Sequence, residues 1–169
     1  MNWICLFATI ISLITCTAQA ALSGGQAKAL FERIKASEGD FLGHSTKGWT
    51  ETSHVQVIAG GSAVLVTSFD AHPAEHMVTM IHLDGDRLLL THYCMAKNQP
   101  RLVATAYDEA NGDATFEFLD GTGMKSRDTG HMDKVVMHFA DSDHWSERWT
   151  WYANGSEKWL EDIQFKRTK

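Results

Sequence analysis

Cysteine is scarce: the 169 residues hold three, and two of them, Cys5 and Cys16, fall within the first twenty. Cys94 is the one thiol beyond that stretch, so a chain starting near residue 21 closes no intramolecular disulfide and must be stabilised by packing. Positive charge is also in deficit. Lys and Arg number 15 against 21 Asp and Glu, a net charge of −6, and no basic tract opposes it. This balance argues against nucleic acid or an anionic membrane surface as partner. No repeat, low-complexity tract, or hydrolase, redox or nucleotide motif is present, and beyond residue 20 no apolar run has the length of a membrane span.

Residues 1–20, MNWICLFATIISLITCTAQA, carry no charge, contain about a dozen apolar residues in a run, and end in Ala18-Gln19-Ala20. This is the pattern of a cleaved secretory signal. It predicts export to the periplasm or beyond, with the mature chain starting just after Ala20. Leu13-Ile14-Thr15-Cys16 has the outline of a lipoprotein cleavage box, but Thr is a poor residue before the modified Cys, so anchoring through Cys16 is not expected. The remainder, residues 21–169, has the length of one domain with a sizeable core. With one thiol and no basic surface it is expected to be a monomer.

Ser23 stands three residues before Gln26, the spacing of a capping box, and Ala27, Leu30, Phe31 and Ile34 follow at helical intervals before Gly39. This predicts one short amphipathic helix. The chain then changes rhythm: short runs rich in Val, Thr, Phe, Trp and Tyr alternate with Gly, Asp and Asn clusters. Strands are predicted near 40–46, 52–58, 62–69, 75–83, 86–94, 101–107, 113–119, 131–140, 143–152 and 157–167. Gly60-Gly61, Asp84-Gly85, Asn111-Gly112 and Asn154-Gly155 suit tight hairpins, so consecutive strands should be neighbours. The fold class expected is all-β, an up-and-down antiparallel barrel of about ten strands with one N-terminal helix. The polar loop 120–130 is long enough to cover one mouth.

The hairpin over residues 75–107 organises the site. A turn on Asp84-Gly85 pairs Leu83 with Asp86, Ile81 with Leu88, Thr79 with Leu90 and Met77 with His92, which places His92 and Cys94 on the apolar face. Alternation elsewhere predicts inward faces at Val135, Met137 and Phe139; at Trp145, Trp149 and Trp151; and at Trp159, Ile163 and Phe165.

Nine histidines is a high count, and His suits acid-base work and ligation. His72 and His76 flank Pro73 in a loop without further ligands at metal spacing, and His44, His138 and His144 fall on polar faces. His92 and Cys94, roughly 6 to 7 Å apart on one strand, read either as a pocket wall or as a core His beside a small buried Cys. Glu147 falls between Trp145 and Trp149. Inside the barrel it must be paired or neutralised, with Arg101, His131 and His92 as partners; at the mouth it would reach solvent. The candidate pocket is therefore His92, Cys94, Arg101, His131, Glu147 and Trp149, with no metal site and no catalytic residue assigned.

One helix followed by about ten meandering strands resembles the calycins, the barrels that include lipocalins, fatty-acid-binding proteins and nitrobindin-like haem proteins. The stretches HLDGDRLLLTHYCMAKNQPRL, GHM at 130–132 and ERWTWYANG at 147–155 are similar to an uncharacterised family of bacterial secreted lipocalin-like domains. In calycins a Gly-x-Trp on the first strand packs against an Arg on the last. Here Gly39-Asp40-Phe41 and Arg167 stand in those places, with Phe for Trp. The resemblance implies an exported barrel that binds a small apolar or amphipathic ligand of unknown identity. The alternatives are an enzyme using His92 with Glu147 and a haem-binding barrel, the latter needing an inward His with open space opposite.

Overall fold

The structure, a computed structural model, describes residues 22–71 and 74–168. The expected signal segment and His72 lie outside the described residues. Helix α1, Gly24–Lys35, begins at Ser23, whose side chain accepts from the Gln26 amide, and buries Ala27, Leu30, Phe31 and Ile34. Ten strands follow: β1 Gly39–Ser45, β2 Thr50–Ile58, β3 Ala63–Ala71, β4 Ala74–Asp84, β5 Arg87–Tyr93, β6 Gln99–Asp108, β7 Asp113–Thr122, β8 His131–Phe139, β9 His144–Ala153 and β10 Ser156–Arg167. Each pairs antiparallel with the next, and β1 also pairs with β10, so the sheet closes on itself. The described residues form an all-β, ten-stranded up-and-down barrel with one α-helix. No helix among the described residues is long and apolar enough to cross a membrane.

The apolar stripe of α1 belongs to the same core as the inward residues of the strands, so the helix closes one end of the barrel. Beneath it aromatic rings fill the bore. Trp145 stacks on Phe165 at 4.0 Å between centroids and meets Phe41 edge-on at 5.8 Å. Gly43 is required here: a Cβ on it would lie 2.6 Å from the Phe165 ring. The Arg167 guanidinium lies 4.6 Å over Phe41, the aromatic-under-cation contact expected from Gly39-Asp40-Phe41 and Arg167.

The β4–β5 hairpin keeps the expected faces but not the expected partners. Asp84 pairs with Arg87 and Thr79 with His92, a shift of two residues across the ladder. The turn residues are Gly85 and Asp86, with Gly85 at φ 59. Glycine in the first central position suits a type II′ turn, where Asp84-Gly85 had predicted type I′. A shift of two preserves side-chain parity, which is why His92 still points inward.

A second departure reverses a face. The β9–β10 ladder pairs Trp159 with Thr150 but Glu161 with Trp149, an irregularity at Leu160. One extra residue turns the strand over. Trp159, expected inside with Ile163 and Phe165, is 49% exposed and donates its indole N–H to Asp162 at 2.9 Å. Glu161 takes the inward position and is 7% exposed.

Candidate functional site

The end of the barrel opposite α1 is formed by the turns at 46–49, 94–98, 123–130 and 154–155. Between it and the aromatic plug lies an enclosed cavity. About 40 Å³ there admits the centre of a water molecule, room for on the order of three waters. Its walls include His92, Glu147, Glu161, Trp149, Met77 and Met132.

His92 is 5% exposed. Its Nδ1 lies 2.9 Å from the Thr79 hydroxyl, the residue directly opposite on β4. Its Nε2 is buried and has no hydrogen-bond partner. Across the bore from β9, the Trp149 ring stands 5.1 Å from the imidazole. Burial drives the His92 pKa from 6.5 down to about 4, because a charged imidazolium loses its hydration there. At neutral pH it is a neutral ring with one nitrogen facing the cavity.

Glu147 follows from the alternation of β9 and enters the same space. Burial raises its pKa from 4.5 to about 7; a hydrogen bond from the Trp149 side chain opposes the rise and the charge of Glu161 adds to it. Of the two outcomes expected for Glu147, pairing or neutralisation, burial brings about the second, and burial is also what moves His92. Glu161 accepts a short hydrogen bond from the Ser45 hydroxyl. Glu51, 4% exposed on β2, is a third carboxylate of the lining.

Above the cavity, at the open end, lies a groove of about 410 Å³. Trp49, Trp151, Met95, Leu160 and Cys94 wall it, and Lys47 and Lys158 stand at its edge. Met77, Met132 and Glu161 line both spaces, so the groove and the cavity share a partition. Thioethers are flexible and adapt to varied shapes. Cys94 belongs to the groove; burial raises its thiol pKa while its sulfur accepts from the Ala96 amide at 3.5 Å.

Of the six candidate residues, His92, Glu147 and Trp149 therefore converge on the cavity and Cys94 on the groove above it. Arg101 and His131 do not join them. Arg101 has its side chain 45% exposed and pairs with Asp120, because it follows the outward parity of β6. His131 is fully buried, but elsewhere. β7 and β8 stop pairing beyond Glu117 and Lys134, and the split is filled by His131, Asp133, Phe118, Tyr152 and Arg127. The Arg127 guanidinium sits 4.3 Å over Phe118 and 3.8 Å over Tyr152. Loop 123–130 thus seals the wall between two strands, and none of its residues lines the groove.

Among the described residues no group of three or more His, Cys, Asp or Glu is placed to hold a metal ion. The space facing His92 does not fit haem: Trp149 stands where the macrocycle would lie, and about 40 Å³ is far too small for it. The sequence matches no protein-family model and no curated protein.

Proposed function

We propose that this protein is an exported binding barrel of lipocalin-like kind that takes a small amphipathic molecule through the end opposite α1. One observation carries the reading: an apolar groove of about 410 Å³ abuts a smaller cavity, in which His92, Glu147 and Glu161 stand among apolar side chains, through the shared residues Met77, Met132 and Glu161. Ligand sites are concave, largely apolar, and carry a few convergent polar groups. An apolar body in the groove with its head toward the cavity satisfies both chemistries. Export is supported by the uncharged, apolar segment 1–20 and its Ala18-Gln19-Ala20 ending.

Two measurements test this reading. Native mass spectrometry of protein isolated from the exported fraction should detect a small-molecule adduct, and decan-1-ol should quench tryptophan emission, since Trp49 and Trp151 wall the groove. Protein that is free of any adduct and silent toward decan-1-ol would refute it.

A further inference from the structure

The cavity beneath the groove is chemically one-sided. Among the described residues its ionisable lining consists of Glu51, Glu147 and Glu161 with His92, and contains no Lys or Arg. His92 supplies an independent sign of a ligand: an imidazole 5% exposed whose Nε2 is buried, partnerless and on the cavity wall. A buried polar atom left unsatisfied costs on the order of 1–3 kcal/mol, and such atoms call for a bound group. In the tautomer that gives Nδ1–H to the Thr79 oxygen, Nε2 presents a lone pair to the cavity. Carboxylate oxygens and thioether sulfurs are likewise acceptors.

We propose that the ligand's head is a primary ammonium group, seated in the cavity against Glu147, Glu161 and His92 Nε2 while its alkyl body fills the groove above. This rests on the binding reading given above and names the ligand class for that site. An ammonium group is compact and carries three N–H donors, which suits a cavity of about 40 Å³ whose polar groups include Glu147, Glu161 and His92 Nε2. A carboxylate head carries only acceptors, and it would face Glu147 and Glu161, like charges at short range. The lysines at the groove edge, Lys47 and Lys158, offer an anionic head the opposite orientation, outward. Lys47 is already seated 4.6 Å over the Trp159 ring, whereas the inner acceptor His92 Nε2 has no partner.

The test compares decylamine, decan-1-ol and decanoate at pH 8 by tryptophan quenching and calorimetry, on the wild type, Glu147→Gln and His92→Gln. The amine should bind wild type at least tenfold more tightly than the alcohol, the range of a charge-assisted hydrogen bond. Glu147→Gln should cut that preference to less than threefold by weakening amine binding. His92→Gln should reduce amine affinity more than alcohol affinity. Alcohol or decanoate binding as tightly as the amine would overturn the ammonium assignment while leaving the binding reading intact. An amine preference that survives Glu147→Gln would also overturn it. Failure of all three probes to bind would overturn both readings. The strand signature of the dichroism spectrum serves as the folding control for each variant.

Discussion

Replacing Glu147 with glutamine isolates the energetic consequence of placing a carboxylate inside this barrel. Glu147 has its pKa raised from 4.5 to about 7, mainly by burial. Between those values the folded protein holds a proton that the unfolded chain has released. The contribution of Glu147 to stability is therefore greatest below about pH 4.5 and falls as pH rises through 7, since the slope with pH follows the difference in bound protons. At about 1.36 kcal/mol per unit, the shift corresponds to about 3 kcal/mol over the whole window, and to about 2 to 3 kcal/mol between pH 5 and pH 8. Glu147→Gln keeps the shape and the acceptor for Trp149 but cannot ionise, so this decline should vanish. The assay is urea unfolding of both proteins at half-unit pH steps, taking the difference curve so that every other titration cancels. Glu161 sits close enough to share the titration, so the apparent midpoint belongs to the pair. A difference curve flat to within about 0.5 kcal/mol across that range would mean that Glu147 is solvated, and the burial argument would fail.

His92→Gln should act on the acid side. Its pKa falls from 6.5 to about 4 on folding, so the wild type loses stability as pH drops from 6.5 toward 4, by about 3 kcal/mol, and the variant should not; guanidinium melts at pH 4 and pH 7 check this. Met132→Trp should fill the partition between groove and cavity, weakening decan-1-ol binding at least tenfold by fluorescence titration with the strand signature of the dichroism spectrum unchanged. The two tryptophans with opposite exposure give a contrast: Trp145→Ala should cost about 3–5 kcal/mol of stability and Trp159→Ala less than about 1 kcal/mol, both read from urea midpoints. Gly43→Ala should destabilise despite its small size, because its Cβ meets the Phe165 ring; a midpoint equal to wild type would refute that contact.

The barrel was legible because its signals are local. The helix stripe Ala27, Leu30, Phe31 and Ile34 is buried as its spacing predicts, and the turn residues mark where strands reverse. Asn154 and Gly155 both take positive φ, as a tight hairpin at that dipeptide requires. His92, Glu147 and Trp149 could be placed inside because parity survives a register shift of two. Parity fails at bulges, and bulges leave no mark in composition. The irregularity at Leu160 moved Trp159 outward, while Glu161, on the same parity as the buried Ile163 and Phe165, was missed because it is charged. Glu51 sat one residue before the expected start of its strand, although Glu51, Ser53 and Val55 alternate inward. His131 illustrates a different limit. Whether a polar residue on an inward parity enters the bore or fills a split between strands depends on where pairing ends, here beyond Glu117 and Lys134. Met77 and Met132, which form the partition, look like ordinary core methionines in the sequence.

The central claim is that ligand enters at the end opposite the helix and rests on that partition. Isotope-labelled methionine methyl groups report on it directly, because Met77, Met95 and Met132 border the groove while Met80 and Met124 border neither space. On titration with decan-1-ol, the resonances of Met77, Met95 and Met132 should move together and saturate, with Met80 and Met124 unchanged. Saturable shifts confined to Met80 or Met124, or no saturable shift at Met77 and Met132, would contradict the account.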